Sequence, residues 1–277
     1  VSVLEFSSIV GSVSLIAGFL GSLTGLGGGV VIVPLLTIVF HVDIRYAIGA
    51  SLVSVIATSS GAAAAYVREG YSNVRIGMFL EMATTFGALV GAALAAHISN
   101  SAIAVIFGIV LLYSAYLSNR KHPPYADDRA DRLATILKMD GSYPASDGPV
   151  AYHVHAIPAG FSLMFAAGTL SGLLGIGSGA VKVLAMDQAM HVPFKVSSTT
   201  SNFMIGVTAA ASAGVYLGRG YIDPGLSMPV MLGVLLGSLL GTKVLIGART
   251  RLLRIVFSIV IVALGFEMIF NGFTGRL

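Results

Sequence analysis

Long apolar runs, joined by short links with little charge, constrain this chain more than any other feature. A helix needs about 20 mostly apolar residues to cross the ~30 Å hydrocarbon layer of a bilayer. Ten segments meet or approach that length, near 4–22, 26–42, 46–67, 76–96, 101–119, 154–174, 176–192, 197–217, 225–247 and 251–271. Only 10% of the 277 residues are charged and the mean hydropathy is +0.90, so the surface of a soluble globule of this size could not be covered. Disorder is excluded, because disordered chains are polar and charged. A transmembrane β-barrel is excluded, because the runs are continuous rather than alternating. The chain has no cysteine, which removes disulfide frameworks and cysteine-based zinc modules. The expected class is an all-α integral membrane protein with the lipid bilayer as its solvent. The first run has no basic leader and no clear cleavage site, so it reads as a span rather than a signal peptide.

Lysine and arginine placement sets the orientation. With ten spans and an outside N-terminus, the inner loops carry Arg68, Arg75, Arg120, Lys121, Arg129, Arg132, Lys138, Lys195, Arg249, Arg251 and Arg254. The outer loops carry only Arg45, Arg219 and Arg276. Both termini are therefore expected outside a plasma membrane, with the hydrophilic stretch 120–153 in the cytoplasm. That stretch has a short helical pattern through Lys138, a turn at Asp140 and Gly141, and strand-like alternation over 150–154. The net charge of +4 is a topology signal. Its basic residues are scattered over separate loops, with no stripe that would bind nucleic acid.

The chain repeats itself, without a gap, at a fixed offset. Ala17 and Gly18 fall on Ala167 and Gly168; Gly25, Gly27 and Gly29 fall on Gly175, Gly177 and Gly179. His41 and Val42 fall on His191 and Val192, Ser51 falls on Ser201, and Tyr66, Gly70 and Tyr71 fall on Tyr216, Gly220 and Tyr221. Gly87 and Gly91 fall on Gly237 and Gly241. The expected organisation is a first membrane repeat over 1–119, the connector over 120–153 and a second membrane repeat over 154–277. Five spans per repeat is an odd number, so the two repeats face opposite ways. This is the inverted-repeat plan of many secondary transporters, whose sites lie near the bilayer midplane between repeats.

Three features could carry chemistry. The glycine runs at 25–29 and 175–179 lead into helices, whose first amides have no intrahelical acceptor and favour anions; close helix packing is the alternative use of such small residues. Lys182 lies about one turn past Gly179 and is replaced by Ile32 in the first copy. A cation within a span is costly and should face protein or water, either to hold an anion, to snorkel, or to pair with Asp187. Ser197, Ser198, Thr199, Thr200, Ser201 and Asn202 open the eighth span, where they either line a cavity or bond neighbouring helices. Among intramembrane acids, Glu81, Glu267 and Asp187 are candidates for a coupling proton, and none of the three stands out. His153 and His155 lack companions for a metal site. No Walker A loop, dinucleotide fingerprint, HExxH or GxSxG is present, so neither an enzyme nor a cofactor is expected.

The run GFLGSLTGLGGGVVIVP at 18–34 resembles the hallmark of the TauE/SafE family, whose members are often labelled sulfite exporters. The runs GIGSGAVKV at 175–183 and KVSSTTSNFMIGVT at 195–208 resemble that family's repeated copy. The resemblance covers nearly the whole chain. It implies a bacterial or archaeal plasma-membrane transporter of small sulfur-containing anions, such as sulfite or organosulfonates. Two departures are Ser178, where a glycine is common, and Leu184, where the first copy has Pro34. The resulting expectation is an exporter working by alternating access, with substrate contacts from Gly27, Gly28, Gly29, Gly177, Ser178, Gly179, Lys182, Ser51, Thr200, Ser201 and Asn202. An anion channel, or a membrane sensor or scaffold without flux, is the alternative. A coupling proton or cation and a homo-oligomeric state are both left open by the sequence.

Overall fold

The computed structural model describes residues 3–22, 28–68, 72–118, 131–145, 148–247 and 250–275. The first half carries α1 (Val3–Ser22), α2 (Gly29–Ile38), α3 (Ile44–Arg68), α4 (Val74–Leu94) and α5 (Asn100–Ser118). The connector follows, with α6 (Arg132–Ile136), β1 (Gly141–Ala145) and β2 (Gly148–Tyr152). The second half carries α7 (Ile157–Leu174), α8 (Gly179–Leu184) running into a π-helical turn (Ala185–Ala189), α9 (Phe194–Gly218), α10 (Pro224–Gly247) and α11 (Thr250–Thr274). Each apolar run of the sequence thus becomes a helix. Among the described residues, Val74–Leu94 and Ile157–Leu174 are long and apolar enough to cross a membrane, and further apolar helices have shorter described stretches.

The second and seventh runs are the exceptions in length. The ten residues of α2 span only about 15 Å at 1.5 Å per residue, roughly half of a bilayer core. Its counterpart α8 lasts six residues before the π turn. Both legs end at a left-handed histidine, His41 at φ 53° and His191 at φ 56°. Just beyond, the Val42 amide bonds to the Leu36 carbonyl and the Val192 amide to the Met186 carbonyl. In the second half the legs form a hairpin: α7 closes at Gly175, φ 68°, and the returning leg brings the Met190 carbonyl to the His155 amide at 3.0 Å.

The helix packing follows the repeat. The longest contacts join α1 to α10 and α4 to α7. Moving 150 residues along the chain converts the first pair into the second, and α3 with α9, or α5 with α11, into itself. The correspondence holds at single atoms. A methyl group on Gly18 would lie 2.3 Å from the Val234 carbonyl oxygen, and one on Gly168 would lie 2.1 Å from that of Thr84. One on Gly87 would strike the Phe165 carbonyl oxygen at 2.2 Å, and one on Gly237 that of Leu15 at 2.0 Å. Gly91 and Gly172 meet Thr169 and Ala88 in the same way. Only a residue without a Cβ lets two helix backbones come this close, and small residues serve that end where lipid supplies no hydrophobic drive between helices.

The connector folds against the start of α4. Asp131 caps α6 through the Leu133 amide, and β1 pairs antiparallel with β2 from Gly141 opposite Tyr152 to Ala145 opposite Gly148. Asn73 ties this unit down. Its Oδ1 caps α4 at the Ile76 amide (3.1 Å), while its Nδ2 donates to the Met139 carbonyl (3.0 Å) and to Tyr152 Oη (2.8 Å). Burial, assisted by the Asp140 carboxylate and opposed by the Asn73 hydrogen bond, pushes the Tyr152 phenol above its ordinary pKa. In place of the turn expected at Asp140 and Gly141, Gly141 begins β1, and Asp140 just before it accepts from the Val154 amide through Oδ1 at 2.9 Å. The strand expected over 150–154 is β2, which stops at Tyr152. Arg75 donates to the Lys138 carbonyl here. At the far end of α4, Arg219 donates to the Ala92 carbonyl (2.8 Å) and Arg45 to that of Ile98 (3.1 Å). Arginines assigned to opposite sides by the charge pattern therefore sit at opposite ends of the bundle.

Candidate functional site

Glycines from the two halves meet beside α3. Ser51 Oγ donates to the Gly175 carbonyl at 2.8 Å, and a Cβ on Gly29 would fall 2.5 Å from Ser51 Oγ and 3.2 Å from the Gly175 oxygen. The equivalent serine of α9, Ser201, donates to the Gly179 carbonyl at 3.2 Å. A Cβ on Gly177 would be caught between Ile205 and Val55, which are themselves counterparts. Gly177 has φ 68° and Ser178 has φ 46°, a left-handed pair that turns α7 into α8. Gly28, the counterpart of Ser178, is right-handed at φ −66°, so the two loops differ in backbone at the position where their sequences differ. Ser178 is buried, and its Oγ has no hydrogen-bond partner among the described residues.

Lys182 sits one turn into α8 and is 0% exposed, which rules out a snorkelling side chain. Its Nζ donates to Thr208 Oγ1 of α9. The same hydroxyl lies 2.7 Å from Glu81 Oε1 of α4, and Lys182 Nζ is 4.0 Å from Glu81 Oε2. Thr85 Oγ1 donates to Glu81 Oε1 at 3.2 Å, and Thr84 Oγ1 is 3.4 Å from Thr208 Oγ1. A buried cation and a buried carboxylate are thus joined by threonines of two helices, as intramembrane ionisable groups must be to be tolerated. The acid within 4.0 Å of this ammonium is Glu81, where the sequence offers Asp187 as a possible partner. Glu81 does not reach toward water, being 8% exposed. It is the eighth residue of α4, about 10 Å from the helix start and about 20 Å from its end, so the pair lies well inside the bundle.

The other expected contacts divide. Gly29, Ser51, Gly177, Ser178, Gly179, Ser201 and Lys182 are brought to the two loops and α8. Gly28 packs against Val234 and Gly18, and Gly27 lies outside the described residues. Thr200 Oγ1 accepts the Asn73 amide at 3.0 Å, which commits it to the α3–α4 link. Asn202 is half-buried on the first turns of α9. Thr208, Thr84 and Thr85 escaped sequence reasoning. The signal was available in the spacing: Thr84 and Thr85 stand three and four residues from Glu81, on one helix face.

Half-length helices led by glycine and an ion pair buried in a helical bundle are features that membrane transporters build their sites from. The profile of the family described as sulfite exporter TauE/SafE matches residues 10–268, and the chain belongs to that family. It is 28% identical over 267 residues to "Probable membrane transporter protein YunE" of Bacillus subtilis, covering 93% of this chain and 95% of the relative. It is 26% identical to "Probable membrane transporter protein YdhB" of the same organism (83% and 84% covered). It is 25% identical to a "Probable membrane transporter protein" of Methanocaldococcus jannaschii (93% of both). No solved structure matches the chain significantly.

Proposed function

We propose that the protein is a secondary transporter that moves a small sulfur-containing anion, sulfite or an organosulfonate, out of the cell by alternating access between two inverted five-helix repeats in the plasma membrane. The observation that carries this reading is the wholly buried Lys182 ammonium, one turn past the loop where glycine backbone from both halves meets. An ammonium in that place attracts an anion, and serine and threonine hydroxyls beside it suit sulfonyl oxygens. The reciprocal helix packing supports the repeat plan, since two equivalent halves can exchange conformations. Termini outside and the connector inside fit the segregation of arginines to opposite ends of α4.

The test is flux of labelled sulfite and methanesulfonate in proteoliposomes. Saturable counterflow is expected from the wild type. It should fall at least tenfold in a Lys182→Met/Glu81→Gln protein, which keeps the interior neutral and so remains inserted and folded. Wild-type counterflow in that double variant would overturn the role of Lys182. Single-channel currents in place of counterflow would make the protein a channel.

A further inference from the structure

Lys182 and Glu81 form a site that is electrically neutral as it stands. Both are buried, and they face each other at 4.0 Å through one hydroxyl, that of Thr208. The elements packed on α4 add little: α7 carries no titratable side chain, and α9 carries Lys195 at its exposed start and Tyr216 near its far end. Asp187 is buried on the π turn that follows α8. An anion binding at Lys182 would leave the pocket with a net negative charge inside low-dielectric surroundings, which is strongly unfavourable. Glu81 has the means to restore balance, because its Oε2 is buried and makes no hydrogen bond among the described residues.

We infer that Glu81 takes up a proton when Lys182 takes up a monoanion, so that the two cross the membrane together as a neutral pair. This rests on the anion-transport reading above. The step is a protonation only: a proton from one aqueous side adds to Glu81 Oε2, giving a carboxylic acid, and leaves on the other side with the anion. Thr208 links the two events. Its hydroxyl lies 2.7 Å from Glu81 Oε1 and 3.1 Å from the Met204 carbonyl; a neutral Glu81 accepts its single proton less strongly than the carboxylate does, which leaves that proton to turn to the anion. An exporter built this way disposes of acid together with the anion.

Methanesulfonate, a permanent monoanion, is the probe. Proteoliposomes with an imposed pH gradient and a clamped membrane potential should accumulate it against its gradient, roughly tenfold per pH unit at equilibrium for one proton per anion. A pH dye in the same wild-type vesicles should record one proton moved per anion. Glu81→Gln, with insertion checked by size-exclusion chromatography, should abolish pH-driven accumulation, and any exchange it retains should not vary with pH. Should the stranded Lys182 prevent insertion, the proton count in wild-type vesicles decides, and a count of zero overturns the inference. Flux that follows the membrane potential and ignores pH, accumulation by Glu81→Gln equal to wild type, or loss of proton drive in Asp187→Asn alone would overturn the inference. Failure of the wild type to exchange methanesulfonate or sulfite at any pH would overturn the transport reading itself, a distinct result.

Discussion

Glu81 of α4 and Lys182 of α8 are held 4.0 Å apart with the Thr208 hydroxyl hydrogen-bonded to both. Breaking a buried pair by removing one partner strands the other, at a cost of about 3–5 kcal/mol, whereas removing both charges can be neutral. Lys182→Met should therefore lower the melting temperature in detergent sharply, and Lys182→Met/Glu81→Gln should recover most of that loss. A double variant no more stable than the single one would mean that the two charges are not coupled.

The glycine seams predict a severe and symmetric effect of bulk. Gly87 and Gly237 meet carbonyl oxygens of Phe165 and Leu15, so Gly87→Val and Gly237→Val must each push two helices apart. Both should give aggregated or unstable protein on size-exclusion chromatography. Gly214→Val, where a Cβ meets nothing within 4 Å, should remain monodisperse. A well-behaved Gly87→Val protein would refute the close approach of α4 and α7.

Asn73 joins α4, the link between α6 and β1, and β2 through one side chain, at Ile76, Met139 and Tyr152. Asn73→Ala loses an N-cap worth about 1 kcal/mol together with the anchor of the connector. Hydrogen exchange over 131–152 should quicken by an order of magnitude or more while α1 and α10 stay protected. Unchanged exchange in the connector would show that other contacts hold it.

A chain without cysteine allows topology to be read directly. Lys138 is exposed on the connector and Gly218 is exposed at the end of α9. Lys138→Cys should react with an impermeant maleimide only after the cells are opened, and Gly218→Cys in intact cells. Labelling of both from one side would contradict the inverted arrangement.

The helices were legible because lipid imposes a simple rule, and their limits follow the sequence within a few residues. The half-length legs were less so, since apolar residues continue past the stop: Val39, Phe40 and Val42 follow α2, and the left-handed backbone at His41 ends the leg. Of the residues that meet around the two glycine runs and α8, Gly29, Ser51, Gly177, Gly179, Ser201 and Lys182 could be collected from the repeat and from the rarity of charge. Glu81 could be noticed but not assigned, because its partner comes from another helix in the other half. Thr208 is one polar residue among many on α9, and nothing in its local pattern separates it from Thr200, which ends up holding the Asn73 amide.

The seams also say something about cutting the chain. Each of the two most extensive joins, α1 with α10 and α4 with α7, takes one helix from before the connector and one from after it. Severing the peptide between them would leave the fragments interlocked like clasped fingers. Either fragment alone would present to lipid the glycine grooves that its missing partner fills, so each is half of an assembly rather than a protein in its own right.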